Sequence, residues 1–503
     1  MNNKILINKS ALISICVTLL YLFFYIGIVT FIPIKFQNVQ CASIIGIILI
    51  MYIFFSWKKS YYRILSPYFI FIVILYLTLC GQTIPWAFNI QAGYRDLTIA
   101  KYNGIEFSNS SICRALFFSY LCILMTHTVV LNNIDTNTKH MRTRRKRKDN
   151  SNCLNPLSVT GDFNLYKIMV GLGIILCLTT ALPYFFYSMK QYAYIIALGY
   201  GSQYENVSYG IGSIMGKIGE FYPVGAITLL YAWGKKNNYN KSNYIIKACF
   251  AYSIVASYLL MELLLSQRTG VLLFAIALLF VFFSDKKIPR NLIVLGAISV
   301  FVLMAGMRMI DLMRSGAIHN LNDFFAYSLS SQNNPVLDFL GDIGWNLMTT
   351  IEFQEVIPSA RPFGLGFTYI ISLTSIIPNL NFWQVHPATV YGNISAWLQE
   401  YLNFSFGIGC TPVAEAFYNF GDLGWLVFIV WGMFISYMNQ KFEDSSSILN
   451  NYQVVLFMGI LLKSAVRSSI YAVFRPYVFF IVIPVVAVRY LYKFWGSKKH
   501  GVS

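Results

Sequence analysis

From Tyr244 to Ser284 the chain is almost continuously apolar, and this stretch restricts the fold more than any other feature. As one helix it would be about 60 Å long at ~1.5 Å per residue, twice the ~30 Å of bilayer hydrocarbon. It must fold back on itself, and the polar Ser266-Gln-Arg-Thr-Gly270 is the only place to turn. A soluble core would alternate apolar and polar positions at helical spacing, whereas here apolar runs approach ~20 residues unbroken. The composition agrees: 57% of residues are hydrophobic and 12% charged, with a mean hydropathy of +0.58, where soluble domains have roughly 25% charged. Barrel strands would show as about 10-residue alternating segments, and the sequence has none. The expected fold is an all-α polytopic membrane protein, one integral domain over residues 1–503.

Apolar runs read against their flanks give twelve spans, near 11–33, 41–57, 66–81, 112–131, 165–187, 212–233, 245–265, 268–284, 291–307, 412–437, 452–470 and 476–494. The run from Ala11 to Pro33 is too long for a signal-peptide core and lacks a small-residue cleavage site, so it is read as the first span. Orientation follows from the connectors, because cytoplasmic loops retain Lys and Arg. With the N-terminus inside, 25 of the 38 Lys and Arg fall on the inner side, and both termini are expected to be cytoplasmic.

The net charge of +18 therefore reads as topology, and no nucleic-acid partner is expected. The cluster from Arg142 to Lys148 has the same reading, with anionic lipid head groups as its neighbours. Nine cysteines lie mostly inside apolar runs, without a Cys-x-x-Cys pair. They read as small buried hydrophobes, so neither a metal site nor a disulfide framework is expected.

The outer side carries fewer charges, and they gather near span ends. Arg268 is at the tip of the seventh–eighth hairpin, Arg308 and Arg314 follow the ninth span, and Arg467 and Arg475 bracket the last turn, with Lys463 deeper. Residues 308–411 form one large outer (periplasmic) loop, which also holds Arg361. Guanidinium groups bind phosphate oxygens bidentately and stay charged near a membrane. If these ends converge they make an electropositive, anion-binding pocket; taken singly, each arginine can equally be snorkelling or locally paired.

The loop is too apolar to be a free domain. Leu337 to Ile357 reads as an amphipathic helix along the interface. Gly364 to Ile377, closed by Pro378, has the length of an interfacial or re-entrant segment. Together they form a lid, with Trp345, Trp383 and Trp397 at its edge. His386, Glu400 and Glu415 are its candidate catalytic groups. His386 precedes Pro387 and can equally be a hydrogen-bonded surface residue; Glu415, at the outer end of the tenth span, can equally stabilise a helix N-terminus. Gly407, Gly409, Gly421 and Gly424 can serve close helix contact.

The many spans, the single large outer loop late in the chain, the Ser266–Gly270 hairpin, the phrase Gly366-Phe-Thr-Tyr-Ile-Ile371 and the phrase Ala414-Glu-Ala-Phe-Tyr-Asn-Phe-Gly421 with Gly424 together resemble bacterial O-antigen polysaccharide polymerases of the Wzy type. The layout matches over most of the chain, and the sharp part runs from Tyr244 to Trp425. The arginine-to-glycine spacing of some members is absent after Arg308, Arg314 and Arg361, so no mechanistic residue is carried over.

The resemblance implies a GT-C-like membrane glycosyltransferase at the outer face of the bacterial inner membrane. It would act on undecaprenyl-pyrophosphate-linked oligosaccharides beside a chain-length co-polymerase, with no cofactor, metal or nucleotide sugar. A related O-antigen ligase is the alternative within this chemistry. A lipid or polysaccharide flippase or transporter is the alternative outside it, with Glu262 its main candidate for a midplane relay.

Overall fold

The computed structural model describes residues 9–31, 37–61, 63, 65–93, 95–99, 101–102, 105–149, 156–198, 211–234, 241–265, 268–283, 291, 294, 334–377, 379, 383–404, 407–444 and 447–500. Most of these residues are helical; the described strands are a two-residue pair, Lys101–Tyr102 antiparallel to Ile105–Glu106. Among the described residues, 7 helices are long and apolar enough to cross a membrane: Ser10–Val29, Val39–Ser60, Asn109–Ile134, Asn164–Ala197, Pro412–Glu443, Ile448–Arg467 and Ile470–Phe494. Pro67–Cys80 and Cys249–Leu264 are shorter apolar helices in the places expected of the third and seventh spans. The eighth matches Arg268–Phe283. The expected ninth span, 291–307, lies outside the described residues apart from positions 291 and 294. The chain is an all-α polytopic membrane protein.

The forced turn falls where the charge pattern requires it. One helix ends at Leu264 and the next begins at Arg268. The expected span 212–233 instead divides into Ile211–Gly219 and Tyr222–Gly234. Pro223 explains the break, since its ring would clash with the carbonyl of Gly219 and it has no N–H to continue the ladder.

Asn109–Asp149 is the axis of the first half of the bundle, packed by the helices Lys9–Phe31, Val39–Ser60, Pro67–Cys80 and Val427–Glu443. Polar pairs fix their register. Ser14 and Thr18 each lie 2.7 Å from the Thr128 hydroxyl, and buried His127 is held by Ser56 at 2.6 Å and by Tyr68. A Cβ at Gly46 would lie 2.2 Å from the Tyr120 hydroxyl, so only glycine allows this approach. The second half packs Tyr222–Gly234 on Pro156–Leu198 and joins the last spans through Thr228 and Tyr452, 2.6 Å apart. Both last spans contain a π-helical turn, Phe457–Leu461 and Tyr477–Val482, and the two turns touch.

The segment expected as an interfacial amphipathic helix becomes Pro335–Gly344, a 3₁₀ turn Trp345–Leu347 and Met348–Val356. Its first part has a wet face, but every residue from Trp345 to Gln354 is buried. Trp345 therefore sits in the bundle and not at an edge, whereas Trp383 is exposed and Trp397 half-buried. Periodicity assigns a helix one dry face; here the Pro67–Cys80, Asn109–Asp149 and Pro412–Phe420 helices enclose the others.

Candidate functional site

The expected outer ends of the first, fourth and tenth spans meet at one carboxylate. Tyr25 Oη donates to Asp422 Oδ1 (2.6 Å), and Arg114 Nη2 lies 3.4 Å from Asp422 Oδ2. These ends share one face of the bundle, as an alternating path requires.

The connector after Cys80 closes over the same face. Asp96 accepts from Trp86 Nε1 (2.9 Å), the Thr98 amide (2.9 Å) and the Thr98 hydroxyl (2.6 Å). Gln82 Nε2 donates to Arg95 O (2.9 Å) and Gly341 O (3.1 Å), and Arg95 pairs with Asp342 at 3.3 Å. Gly341 is required here because a Cβ would come within 2.2 Å of Ala92 O. This docking positions Pro335–Gly344 and therefore the buried helix that follows it.

Phe353, on that helix, packs against two rings: Trp397 at 6.3 Å and Tyr418 at 5.5 Å. The Arg361 guanidinium lies over the same two rings, 5.1 Å from Trp397 and 5.6 Å from Tyr418. Among the described residues it has no ion pair and no hydrogen-bond partner. Such ring contacts are worth about 0.5–1 kcal/mol each at exposed sites. They hold the cation against the two rings without a carboxylate, and a guanidinium so placed can still donate to an anion.

Glu415 is 1% exposed, and both its oxygens are used. Oε1 accepts from the Thr368 hydroxyl (2.9 Å) and Oε2 from the backbone N–H of Ile470 (2.7 Å). Asn419 Nδ2 donates to Thr368 Oγ1 (2.7 Å) and to the Glu415 carbonyl (2.9 Å). One carboxylate thus ties Phe367–Leu373 to the start of the last span. Gly424 lies so close to Ala416 O that a Cβ would meet it at 2.4 Å, the close contact expected of that glycine.

His386 caps Pro387–Gly392: Nδ1 accepts from the Ala388 N–H (3.1 Å), and Nε2 then carries the proton and donates to Ile377 O (3.0 Å). Glu400 is exposed on Ile394–Tyr401, three residues after Trp397. Arg467 Nε donates to Asn346 Oδ1 (3.0 Å). Lys463 lies one turn earlier, and Glu262, the candidate midplane carboxylate, accepts from Tyr184 Oη at 3.4 Å. Arg475 lies over Phe479 at 5.7 Å.

Arg361 and Glu415 are thus brought into one neighbourhood through Tyr418, and Arg467 and Glu415 through the turn before Ile470. Glu400 joins them through Trp397. His386 is in the lid, bonded within its own turn. The Arg268 side chain, Arg308 and Arg314 lie outside the described residues.

Sequence reasoning gave no role at the site to Thr368, Asn346 or Asn419, although the first and last lie in the two phrases that carry the resemblance. The four-residue step from Glu415 to Asn419 on a helix was the available signal. It also passed over the functional potential of Glu352, whose Oε1 is buried without a hydrogen-bond partner among the described residues, as are Thr350 Oγ1 and both amide atoms of Gln354. Burial pushes the Glu352 carboxyl up to about 7, and the charge of Glu355 adds to this. Among the described residues no cluster of His, Cys, Asp or Glu could hold a metal ion.

The family model of the O-antigen polysaccharide polymerase Wzy matches residues 11–499, so the chain belongs to that family. Comparison with curated proteins and with solved structures found no match.

Proposed function

We propose that this polymerase transfers a growing glycan from undecaprenyl pyrophosphate to the terminal sugar of a lipid-linked repeat unit. The reaction takes place at the periplasmic face of the bacterial inner membrane, with both termini of the chain in the cytoplasm. The observation that carries the reading is Arg361, a cation held against Trp397 and Tyr418 with no described anionic partner.

In the transfer, the acceptor hydroxyl oxygen bonds to the anomeric carbon of the donor glycan. The bond from that carbon to the pyrophosphate oxygen breaks, the pyrophosphate leaves with the electron pair, and the hydroxyl proton passes to a base. Arg361, Arg467 and Arg475, with Arg268, Arg308 and Arg314, form the guanidinium set that stabilises the leaving charge. Tyr401, stacked on Trp397 at 5.5 Å and exposed, offers its outer ring face to a sugar.

Of the three base candidates, Glu400 is the accessible one with no described partner. The bonded oxygens of Glu415 and the paired ring nitrogens of His386 favour positioning roles for those two. No metal and no nucleotide sugar enters this scheme, and a chain-length co-polymerase acts beside it.

The test is the polysaccharide ladder of cells carrying Arg361→Ala, Arg268→Ala or Arg314→Ala. Each variant should insert normally and make no long chains. Cells lacking the protein should carry core with a single repeat; bare core would indicate a ligase instead. Wild-type ladders from all three variants would refute the arginine pocket.

A further inference from the structure

Between Arg361 and Glu400 the sequence contains no Asp, Glu, Lys or Arg, although this stretch belongs to an outer loop. Two short helices form its centre, Phe367–Leu373 and Pro387–Gly392, packed on one another. We infer that they are a bilayer-docking hairpin, whose outward face rests among the acyl chains of the outer leaflet.

Three observations converge on a lipid partner. First, the face is apolar and open. Phe367, Ile370 and Leu373 stand at three-residue spacing on the first helix, Val390 and Tyr391 on the second, and Ile370 is 65% exposed. The Phe367 and Tyr391 rings meet at 6.0 Å, so the two helices present one surface.

Second, this surface continues into the wall of a membrane-spanning helix. Tyr369 stacks on Phe420 at 6.3 Å, and a Cβ at Gly366 would touch the same ring. Beyond Phe420 the exposed side is Leu423, 62% exposed, followed by Leu426 and Val430. A face continuous with the lipid-facing side of a span meets the same solvent as that side.

Third, among the described residues the two ends of the connection between these helices are tied by side chains to backbone groups. Asn379 Nδ2 donates to Trp383 O (2.8 Å), the Trp383 N–H donates to Asn379 Oδ1 (3.2 Å), and His386 Nε2 donates to Ile377 O (3.0 Å). Loops in water can leave such groups to the solvent; a segment at membrane depth cannot. The role of His386 follows from this, as it closes the hairpin. The base of the hairpin is tied equally: the amides of Gly364 and Leu365 donate to Tyr418 O (3.0 Å) and Asn419 O (2.9 Å).

The face is too short to span. At ~1.5 Å per residue, Phe367–Leu373 with its 3₁₀ extension Thr374–Ile376 reaches about 15 Å, half the hydrocarbon thickness. The hairpin therefore enters and leaves on the same side. Through Thr368 it brings the bilayer surface into register with Glu415.

The test uses the full chain in native membranes with a photoreactive benzoylphenylalanine at Ile370 or, in a second variant, at Val390. A third variant carries it at exposed Ser359, outside the hairpin. After illumination, mass spectrometry of the purified protein should find phospholipid adducts at 370 and 390 and none at 359. A polypeptide adduct would overturn the inference in favour of a protein partner, and a polyprenyl adduct in favour of a carrier site. Absence of lipid adducts at both positions would overturn it too. The readout does not depend on polymerisation, so it stands or falls separately from the transferase reading.

Discussion

Replacing Glu352 with Gln should stabilise the protein, by an amount that grows with pH. The side chain is buried, its Oε1 has no hydrogen-bond partner among the described residues, and its carboxyl is raised from 4.5 to about 7 by burial, with Glu355 adding to the effect. At about 1.36 kcal/mol per pH unit, that interval makes the charged carboxylate costly by on the order of 3 kcal/mol.

The sign follows from the raised folded-state value. The native protein holds its proton where the unfolded chain has lost it, so the linked stability is complete below about pH 4.5. It declines as pH climbs toward 7 and stays lost above. Glutamine keeps the shape and carries no charge. The variant and wild type should therefore unfold alike near pH 4.5 and diverge up to about pH 7. By about pH 8 the variant should be ahead by up to about 3 kcal/mol. Detergent-solubilised protein, melted with a fluorescent thiol or tryptophan readout across this range, measures the gap directly. Other titrating groups are common to both proteins and cancel in the difference. A gap that stays flat with pH, or a glutamine variant less stable at pH 8, would refute the reasoning.

Other outcomes follow from the bonded geometry. His386→Asn should retain polymer synthesis, because asparagine also caps a helix, whereas His386→Ala should cost about 1 kcal/mol of stability; a complete loss of ladder with Asn would restore a chemical role to the ring. Glu415→Ala leaves the Thr368 hydroxyl and the Ile470 N–H without their acceptor. At about 1–3 kcal/mol per stranded group, it should lower the yield of folded protein, read by size-exclusion chromatography. Arg361→Lys keeps the charge but loses the planar fork, so polymerisation should fall well below wild type in a ladder assay; equal ladders would argue for simple charge. Glu400→Gln should abolish chain extension while leaving the melting temperature within about 1 °C, since substitutions of exposed, unbonded groups scarcely change stability.

Much of the frame was legible because a bilayer imposes a length on every span. The runs around Leu19, Leu49, Leu121 and Ile175 required no knowledge of neighbours, and the fold-back at Arg268 was forced by the length of the apolar stretch alone. Pro223 could also have been read locally, as the point where one span divides. The segment around Met348 was less legible, because its polar positions predict a wet face and its enclosure depends on three distant helices. The site was readable only as an inventory. Glu415 and Arg361 stood out as charges in apolar surroundings, yet the partners that define them come from elsewhere: Thr368 and Ile470 for the carboxylate, Trp397 and Tyr418 for the guanidinium. Spacing along one helix carries Glu415 to Asn419 and no further.

The Glu415 tie makes unequal demands on the residues it joins. Toward position 368 it needs a hydroxyl; toward position 470 it needs only a backbone N–H, which every residue but proline supplies. The tie itself therefore sets no condition on the side chain at 470, whose limit is its own packing against the apolar core, and the turn between the last two spans keeps its place. Natural variation among relatives should exchange one apolar side chain for another at 470 and stop at 368, 415 and 419, and the arginines at 467 and 475 inherit a fixed spacing from an atom that no substitution of their neighbour Ile470, short of proline, can remove.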